Sequence, residues 1–272
     1  MHTDCVTTSL VHIFTKWYIV YRNYPKGVIC MKTKKEAAQI VSALENEYPL
    51  AECFLDSETA WQLLVAVRLS AQCTDLRVNA TTPILFEKFP TISALADADP
   101  AEIEAIVKPC GLGRSKARDI NLCMKMLRDE YNCVVPDNMD DLLKLPGVGR
   151  KSANLIIGDV FGKPAIVADT HCIRLSNRLG FINSTDPVKV EMELKRVVAP
   201  EKQNDFCHRL VEHGRAVCTA RKAMCEKCVL APYCAYKKAE DKKALKAAEK
   251  AQKAAEKAQN TAKKAASSAK DN

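Results

Sequence analysis

The sequence lacks any apolar run long enough to cross a membrane as a helix, which takes about 20 residues. It also lacks an export signal, because the apolar stretch at residues 17–21 is short, is flanked by Lys16 and Arg22, and has no small-residue cleavage site. The thirteen cysteines are therefore not expected to form a disulfide framework. We expect a protein of the reducing cytosol, with no membrane partner.

Segments that could form β-strands are equally scarce. Only residues 133–135 and 165–167 have an extended pattern, and neither is long enough to build a sheet. Between residues 36 and 236, apolar residues recur three and four apart, which is the period of a buried helix face. This pattern predicts helices at residues 60–70, 102–107, 116–131, 139–143, 152–161, 172–179, 188–198 and 205–218. The predicted fold class is all-α.

The two ends of the chain differ in composition from this helical part. Residues 1–30 lack periodicity and precede Met31, so we expect a disordered extension or a mis-assigned start. Residues 237–272 contain eleven Lys against five Asp or Glu, a balance of +6 within the net charge of +8. This Lys/Ala-rich tail could be fractionally helical, but it has almost no apolar stripe, so it should not pack and is predicted to be disordered. It is either a solvated appendage or a loose electrostatic tether to polyanions.

Four of the cysteines have the spacing of ligands to one metal centre. Cys218, Cys225, Cys228 and Cys234 follow the pattern C-x6-C-x2-C-x5-C. Four thiolates that converge on one point suit either a tetrahedral zinc ion or a [4Fe–4S] cluster. Zinc sites more often pair two C-x2-C hooks, and this segment has only one. The spacing by itself leaves both metals open.

The segment LPGVGRKS at residues 145–152 lies between two predicted helices. Gly147 and Gly149 permit positive φ in a tight turn, and backbone N–H groups then open onto the start of the next helix. Such amides, together with the helix dipole, favour a bound phosphate. A P-loop is excluded, because Leu145 and Arg150 stand where that motif needs glycine, and because the preceding segment is helical. An ordinary turn between two helices remains the alternative.

Lys151 and Asp169 are the candidate catalytic residues. Lys151 lies in the first turn of a helix, where a cation is electrostatically unfavourable, so it is a solvated lysine, a phosphate contact or an amine nucleophile. The last role needs the neutral amine, which is about one molecule in two thousand for a free lysine at neutral pH. Desolvation or a neighbouring base must supply the difference. Asp169 precedes a predicted helix and is expected to be its N-cap, which leaves one carboxylate oxygen for chemistry.

Residues 145–154, residues 167–178 and the four-cysteine array, in this order and spacing, closely resemble the endonuclease III family of base excision repair. The resemblance extends from about residue 31 to residue 236. It implies two helical domains with a catalytic cleft between them, one of which contains a helix-hairpin-helix motif. It also implies a bifunctional DNA glycosylase/AP lyase that removes oxidised pyrimidines from duplex DNA and cuts the abasic strand by β-elimination through a lysine Schiff base.

The resemblance divides the chain into four parts. Residues 52–163 would form a six-helix domain that contains the helix-hairpin-helix motif. Residues 31–51 and 164–236 would together form the domain of the iron–sulfur cluster. Residues 1–30 and 237–272 would lie outside both domains. The partner would be double-stranded DNA with damaged bases or abasic sites, and the protein would be a monomer in the bacterial-type cytoplasm, associated with the nucleoid.

The same resemblance implies a role for individual residues. Lys151 matches the catalytic lysine of the family and Asp169 its catalytic aspartate, and the four cysteines match ligands of a structural [4Fe–4S] cluster. Gln72 matches a residue that fills the gap left by a flipped nucleotide, and Leu112 a residue that wedges into the opposite strand. Further DNA contacts are implied for the hairpin and for a basic loop: Gly147, Val148, Gly149, Arg150, Arg221 and Lys222.

Two departures and two alternatives accompany this resemblance. The family usually has an aromatic residue where Gly113 stands, and more polar residues where Ala223 and Met224 stand. One alternative is a monofunctional adenine-mismatch glycosylase, but that group lacks the catalytic lysine and carries an extra C-terminal domain that the tail could not form. The other is a non-catalytic, metal-stabilised DNA-binding module, in which Lys151 would only contact phosphate.

Overall fold

The part of the chain that the computed structural model describes, residues 32–50 and 52–268, is built from α-helices. They are α1 (Lys34–Glu47), α2 (Ala60–Leu69), α3 (Asp75–Lys88), α4 (Ile92–Asp97), α5 (Pro100–Val107), α6 (Gly113–Tyr131), α7 (Met139–Leu142), α8 (Arg150–Asp159), α9 (Thr170–Leu179), α10 (Pro187–Val197), α11 (Gln203–Ala216) and α12 (Ala235–Ser268). Short 3₁₀ turns lie at Lys108–Cys110, Pro200–Lys202, Cys225–Lys227 and Ala231–Tyr233. These described ranges contain no strand, so the all-α prediction is confirmed.

Two further sequence expectations concern the ends of the chain and the membrane. The extension expected at residues 1–30 lies outside the described residues. Within residues 32–50 and 52–268, none of the helices combines the length and the apolarity needed to cross a bilayer.

Helix α2 lies at the centre of the first of two hydrophobic cores. Its residues Leu63, Leu64, Val65, Ala66, Val67 and Leu69 are all buried, as expected for a helix that is apolar on nearly every face. Buried residues of α3 to α8 surround it, so this core extends along the chain from Leu55 to Ala165. The N-terminus of α2 is fixed by a capping box between Thr59 and Gln62.

The second core brings α1 together with the C-terminal half of the chain. Ile40 and Leu44 of α1 are fully buried against residues of α9, α10 and α11. Phe181 and Phe206 meet edge to face with their ring centroids 6.1 Å apart, and both rings are buried. The chain crosses from the first core to the second between Ala165 and Ile166. Helices α8 and α9 therefore belong to different cores although they are neighbours in sequence.

Polar contacts join the two cores along α8. At its start, Arg150 donates to both carboxylate oxygens of Glu191 on α10, at 2.7 and 2.9 Å. At its end, Asp159 Oδ1 is bonded by Asn204 and by His208 of α11, each at 2.7 Å. A charged side chain that is removed from water is stable only when it has such partners. These contacts hold α8 in a defined position against the second core.

The Lys/Ala-rich tail differs from the sequence expectation. It was expected to be disordered, but residues Ala235–Ser268 form a continuous helix, α12. Alanine, lysine and glutamate all have high helix propensity, and i,i+4 contacts such as Lys237–Asp241 support the helix locally. The absence of an apolar stripe still has its expected effect, because every described side chain from Lys238 to Glu256 is exposed. Only the first turn packs, where the Arg178 guanidinium lies 5.3 Å from the Tyr236 ring centre.

Candidate functional site

Lys151 and Asp169 lie at the N-termini of two helices that come from different cores. Lys151 is the second residue of α8 and is exposed. Asp169 is the N-cap of α9, and its Oδ1 accepts from the backbone N–H of Cys172 at 2.7 Å. Among the described carboxylates, none lies within ion-pair distance of Lys151. The N-cap expectation for Asp169 is confirmed, and only one of its two oxygens makes that bond.

Both candidate residues influence the pKa of the His171 ring. Burial lowers the pKa of the His171 ring, the nearby Asp169 carboxylate opposes this, and the cationic Lys151 side chain contributes to lowering it. Lys151 and Asp169 are therefore both close enough to this half-buried ring to affect its charge. One anion and several cations lie near the His171 ring, and its lowered pKa favours the neutral form.

The orientation of His171 is set by Arg174. The Arg174 guanidinium lies 3.1 Å from His171 Nδ1 and also donates to the carbonyl oxygens of Gly214 and Cys218, each at 3.1 Å. Because arginine has only donors, Nδ1 must accept, and the neutral ring carries its proton on Nε2. A Cβ on Gly214 would lie 2.5 Å from Nδ1, so this position has no room for a side chain. Arg174 thus connects the site to the cysteine loop.

The turn before α8 uses the freedom of only one of its two glycines. Gly147 has φ of +77°, whereas Gly149 has φ of −100° and ψ of 174°, which is extended backbone. Gly149 is the N-cap of α8, and N-caps take β-region angles. It has no side chain to accept from the first turn. The free N–H groups at this helix start therefore face outward as a potential phosphate site.

Gly147 lies against a partly buried ion pair. Arg68 of α2 donates to Asp119 of α6 through two nitrogens, at 3.1 and 2.7 Å. A Cβ on Gly147 would lie 2.9 Å from atoms of both side chains. Glycine is thus required here for its backbone angle and for the close approach. The ion pair positions the hairpin relative to α2 and α6.

The Arg150 side chain is less available to DNA than its place in the hairpin suggests. Two of its nitrogens are used by Glu191, which is only 2% exposed and also binds Lys195 at 2.7 Å. The ion pair raises the pKa of the Arg150 guanidinium and lowers that of the Glu191 carboxyl against the opposing effect of burial. Nε and Nη2 of Arg150 are therefore occupied within the protein, while the side chain remains 37% exposed.

Gln72 and Leu112 share an uncommon backbone conformation. Gln72 has φ of 56° and Leu112 has φ of 52°, in the left-handed region that non-glycine residues rarely adopt. Both side chains are exposed, and Leu112 is 57% exposed although it is apolar. Such a conformation costs of order 1–3 kcal/mol and persists only where the surrounding structure imposes it. It is concentrated at functional sites.

The four cysteines of the array line one small pocket between α11 and α12. Arg178 donates to Cys218 Sγ at 3.1 Å, and His213 Nε2 lies 3.2 Å from Cys228 Sγ. Burial, with a smaller contribution from the other three sulfurs, raises the pKa of the Cys228 thiol to about 11. Four thiolates in this pocket would repel one another unless a cationic centre lay between them.

Four cysteines around one pocket suit either of the two metal centres that the spacing allows. Within the described residues, no group of three or more Cys, His, Asp or Glu side chains is arranged to hold a metal ion.

Arg221 and Lys222 lie in the loop between the first two cysteines of the array. Both are exposed. The loop is closed by Thr219, whose hydroxyl bonds to the carbonyl of Lys222 at 2.6 Å and accepts from its N–H at 3.1 Å. Both cations therefore project from a well-defined turn.

Comparison with known proteins agrees with this geometry. Residues 65–200 match the HhH-GPD family, described as HhH-GPD superfamily base excision DNA repair protein. Endonuclease III from Synechocystis sp. is 44% identical over 202 residues, which cover 74% of this chain and 92% of that protein. The chain belongs to the endonuclease III family. It is a DNA glycosylase/AP lyase of base excision repair.

Two solved structures of endonuclease III on DNA are similar to this fold. One is described as a trapped endonuclease III–DNA covalent intermediate, an estranged-adenine complex; it is 40% identical, with a TM-score of 0.73, and the match covers 77% of this chain and 99% of that one. The other is a non-covalent endonuclease III–DNA complex; it is 39% identical, with a TM-score of 0.73, and covers 78% and 100%.

Residue types alone would have missed two positions of interest in this endonuclease III homologue. As plain sequence, Gln72 is a polar residue at a helix end and Leu112 is a surface leucine. Both residues are distinguished by their positive φ. This φ could not be predicted locally, because neither position is a glycine or an asparagine. Conversely, Asn132 and Cys133 also have positive φ, so this signal needs the resemblance beside it.

We expect replacement of Gly147 by alanine to destabilise the protein, whereas the same change at Gly149 should be close to neutral. Left-handed backbone costs alanine about 1–2 kcal/mol, and the added methyl group must also displace Arg68 or Asp119. At Gly149 the space is free, and a weaker N-cap and a less flexible unfolded chain oppose each other within about 1 kcal/mol. Equilibrium denaturation by urea measures both. Equal losses for the two variants would contradict the close approach.

Proposed function

We propose that this DNA glycosylase/AP lyase uses Lys151 as its nucleophile and Asp169 as the carboxylate that assists it, and that its substrates are oxidised pyrimidines in duplex DNA. The observation that carries the proposal is that Lys151 and Asp169 lie at the N-termini of two helices from separate cores and that the charges of both contribute to the pKa of His171. A solved relative trapped as a covalent intermediate with DNA supports a covalent route.

The chemistry needs an amine and a carboxylate, which lie at the N-termini of α8 and α9. The damaged base must first be extruded from the duplex, which costs a few kcal/mol. The neutral Lys151 amine then forms a bond to C1′ and loses a proton, and the base leaves with the electrons of the glycosidic bond. Asp169 stabilises positive charge that develops on the sugar and helps to deprotonate Lys151. Opening of the sugar ring at O4′ converts this adduct to a Schiff base, and loss of a C2′ proton then expels the 3′ phosphate by β-elimination.

Exposed backbone and side-chain groups would make the contacts with DNA. The free N–H groups of Gly149, Arg150 and Lys151 would bind a backbone phosphate without reading sequence. Gly147 and Val148 would shape that hairpin. Gln72 and Leu112 would occupy the space vacated by the flipped nucleotide. Arg221 and Lys222 would contact phosphate from the cysteine loop, with a salt-dependent contribution to affinity.

Cys218, Cys225, Cys228 and Cys234 would hold a [4Fe–4S] cluster. The cluster supplies a structural crosslink for the loop that carries Arg221 and Lys222. Arg178 and His213 would donate hydrogen bonds to its sulfur ligands, as second-sphere groups commonly do. Zinc is the other candidate from the spacing of the four cysteines.

The remaining parts of the proposal concern organisation and setting. The two cores would correspond to a helix-hairpin-helix domain at residues 52–163 and a cluster domain formed by residues 31–51 and 164–236. The protein would act as a monomer in the bacterial-type cytoplasm, associated with the nucleoid. The sequence departure at Gly113 leaves the loop of Leu112 without the aromatic neighbour that is usual in the family.

Borohydride should trap the protein covalently on DNA that contains an abasic site, because it reduces the imine between Lys151 and the sugar. Lys151→Gln should abolish trapping while most binding remains. Lys144→Gln is the matched control, since Lys144 is an exposed lysine that precedes the same hairpin and pairs only with Asp141. Gel mobility of the trapped complex measures the result. Undiminished trapping by the Lys151 variant would place the nucleophile elsewhere.

Asp169→Asn should separate the catalytic role of Asp169 from its role as a helix cap. Asparagine caps a helix about as well as aspartate, so the free energy of unfolding should change by less than about 0.5 kcal/mol. Base excision should fall by about a hundredfold or more, because the carboxylate charge is lost.

Asp186→Asn is the control for this test, because Asp186 caps α10 in the same way, through bonds to the N–H groups of Val188 and Lys189. It should leave both stability and single-turnover excision rates near those of the unmodified protein. Retention of full excision activity by the Asp169 variant would remove its carboxylate from the mechanism.

Metal analysis distinguishes the two centres that the cysteines could hold. We expect a brown protein with broad visible absorbance and about four irons per chain. Replacement of Cys228 by serine should reduce both signals, whereas replacement of Cys123, which is buried in the other core, should not. A colourless protein with one zinc ion would contradict the cluster.

A further inference from the structure

Lys116 is a buried lysine that none of the roles above uses. It lies in the first turns of α6 and its side chain is 0% exposed. Among the described residues, no carboxylate pairs with it. Its Nζ instead donates to two backbone carbonyl oxygens, those of Leu69 and Cys110, both at 2.8 Å. Burial lowers the pKa of its amine, and the nearby sulfurs of Cys73 and Cys110 oppose this.

The two carbonyls belong to the two segments that carry Gln72 and Leu112. Leu69 is the last residue of α2 and is three residues before Gln72. Cys110 ends the 3₁₀ turn Lys108–Cys110 and is two residues before Leu112. Carbonyls at a helix end lack a partner within the helix and carry partial negative charge. A single ammonium group therefore satisfies two helix ends and joins them.

The main chain of Lys116 adds a third contact to the same region. Its backbone N–H donates to the carbonyl of Leu112 at 3.0 Å, which closes the first turn of α6. Leu112 is thus held on one side through its own carbonyl and on the other through Cys110. Backbone in the left-handed region needs such constraint from its surroundings to persist. The segment around Gln72 is constrained from the same amine.

We propose that Lys116 is a positioning residue that sets the distance between the segments of Gln72 and Leu112, so that both side chains enter the duplex together. This inference rests on the proposed roles of those two side chains. Lys116 itself would not contact DNA, because it is completely buried. Its effect is on the step at which a paired base is extruded.

Loss of the Lys116 hydrogen bonds should affect two reaction rates differently. Extrusion of a base that is still paired requires the vacated space to be filled, whereas a preformed abasic site has no base pair to break. Loss of the Lys116 bonds should therefore impair base excision from duplex DNA more than strand cleavage at an abasic site. A residue that merely supported the fold would lower both rates equally.

The experiment compares Lys116→Met with a matched variant of the same helix. Methionine fills the space but cannot donate hydrogen bonds. Asn121 of α6 is also buried and also donates to backbone carbonyls near a helix end, those of Leu95, Ala96 and Ala98, but it contacts neither segment. Asn121→Leu therefore reproduces the loss of buried hydrogen bonds without loosening Gln72 or Leu112.

We expect single-turnover excision of an oxidised pyrimidine to fall roughly tenfold to a hundredfold in Lys116→Met, with cleavage of a preformed abasic site within about threefold of the unmodified protein. Asn121→Leu should leave the ratio of the two rates unchanged. Fluorescence of 2-aminopurine opposite the lesion should report weaker base unstacking in the Lys116 variant only. Equal losses in the two rates for Lys116→Met would overturn the proposal.

Three additional variants make the outcome interpretable. If Lys116→Met does not fold, Lys116→Gln serves in its place, because a glutamine side chain is shorter and keeps one donor group that can reach at most one carbonyl. Gln72→Ala and Leu112→Ala test the underlying roles. If these two variants excise bases normally, the proposed function of the segments fails; if they are impaired and the Lys116 variants keep the normal ratio, the inference about Lys116 fails.

Discussion

The position of helix α8 between the two cores is the constraint on which the site depends. Arg150 binds Glu191 at one end of the helix, and Asp159 is bonded by Asn204 and His208 at the other. Both carboxylates are largely removed from water, so each would be costly to leave without its partners. Because these contacts cross from one core to the other, they determine where Lys151 stands relative to Asp169. The relative position of Lys151 and Asp169 is thus set at the junction between the cores.

Electrostatics at the helix termini serve both binding and chemistry. The start of α8 offers free N–H groups to a phosphate, and the same dipole disfavours positive charge on Lys151. The start of α9 is already satisfied by Asp169, which keeps one oxygen for other contacts. Arg174 then links His171 to the carbonyl of Cys218, so the cysteine loop and the Asp169 carboxylate are attached to one helix. A change in the loop would therefore reach the site through α9.

Backbone strain is concentrated where the protein would enter DNA. Gln72 and Leu112 both have left-handed angles without the help of glycine. Their segments end helices whose terminal carbonyls share the buried ammonium of Lys116. The unfavourable backbone conformation of these two exposed residues is offset by hydrogen bonds inside the protein. Preorganisation of this kind lowers the entropy that is lost when the side chains are inserted.

Local sequence patterns determined the helices, the two glycine-containing turn positions, the N-cap at Asp169 and the array of four cysteines, because each depends on residues within a few positions of one another. The resemblance to the endonuclease III family added the chemistry. Only the tertiary structure showed the pairing of Arg150 with Glu191 and the buried contact of the Lys116 amine with the carbonyl of Leu69. Each of these contacts joins residues more than forty positions apart. Composition allowed partial helicity in the tail, since helix propensity needs no core to act. The sequence by itself thus determined which groups are present, and the fold decided which of them meet, because packing sets distances that no local pattern encodes.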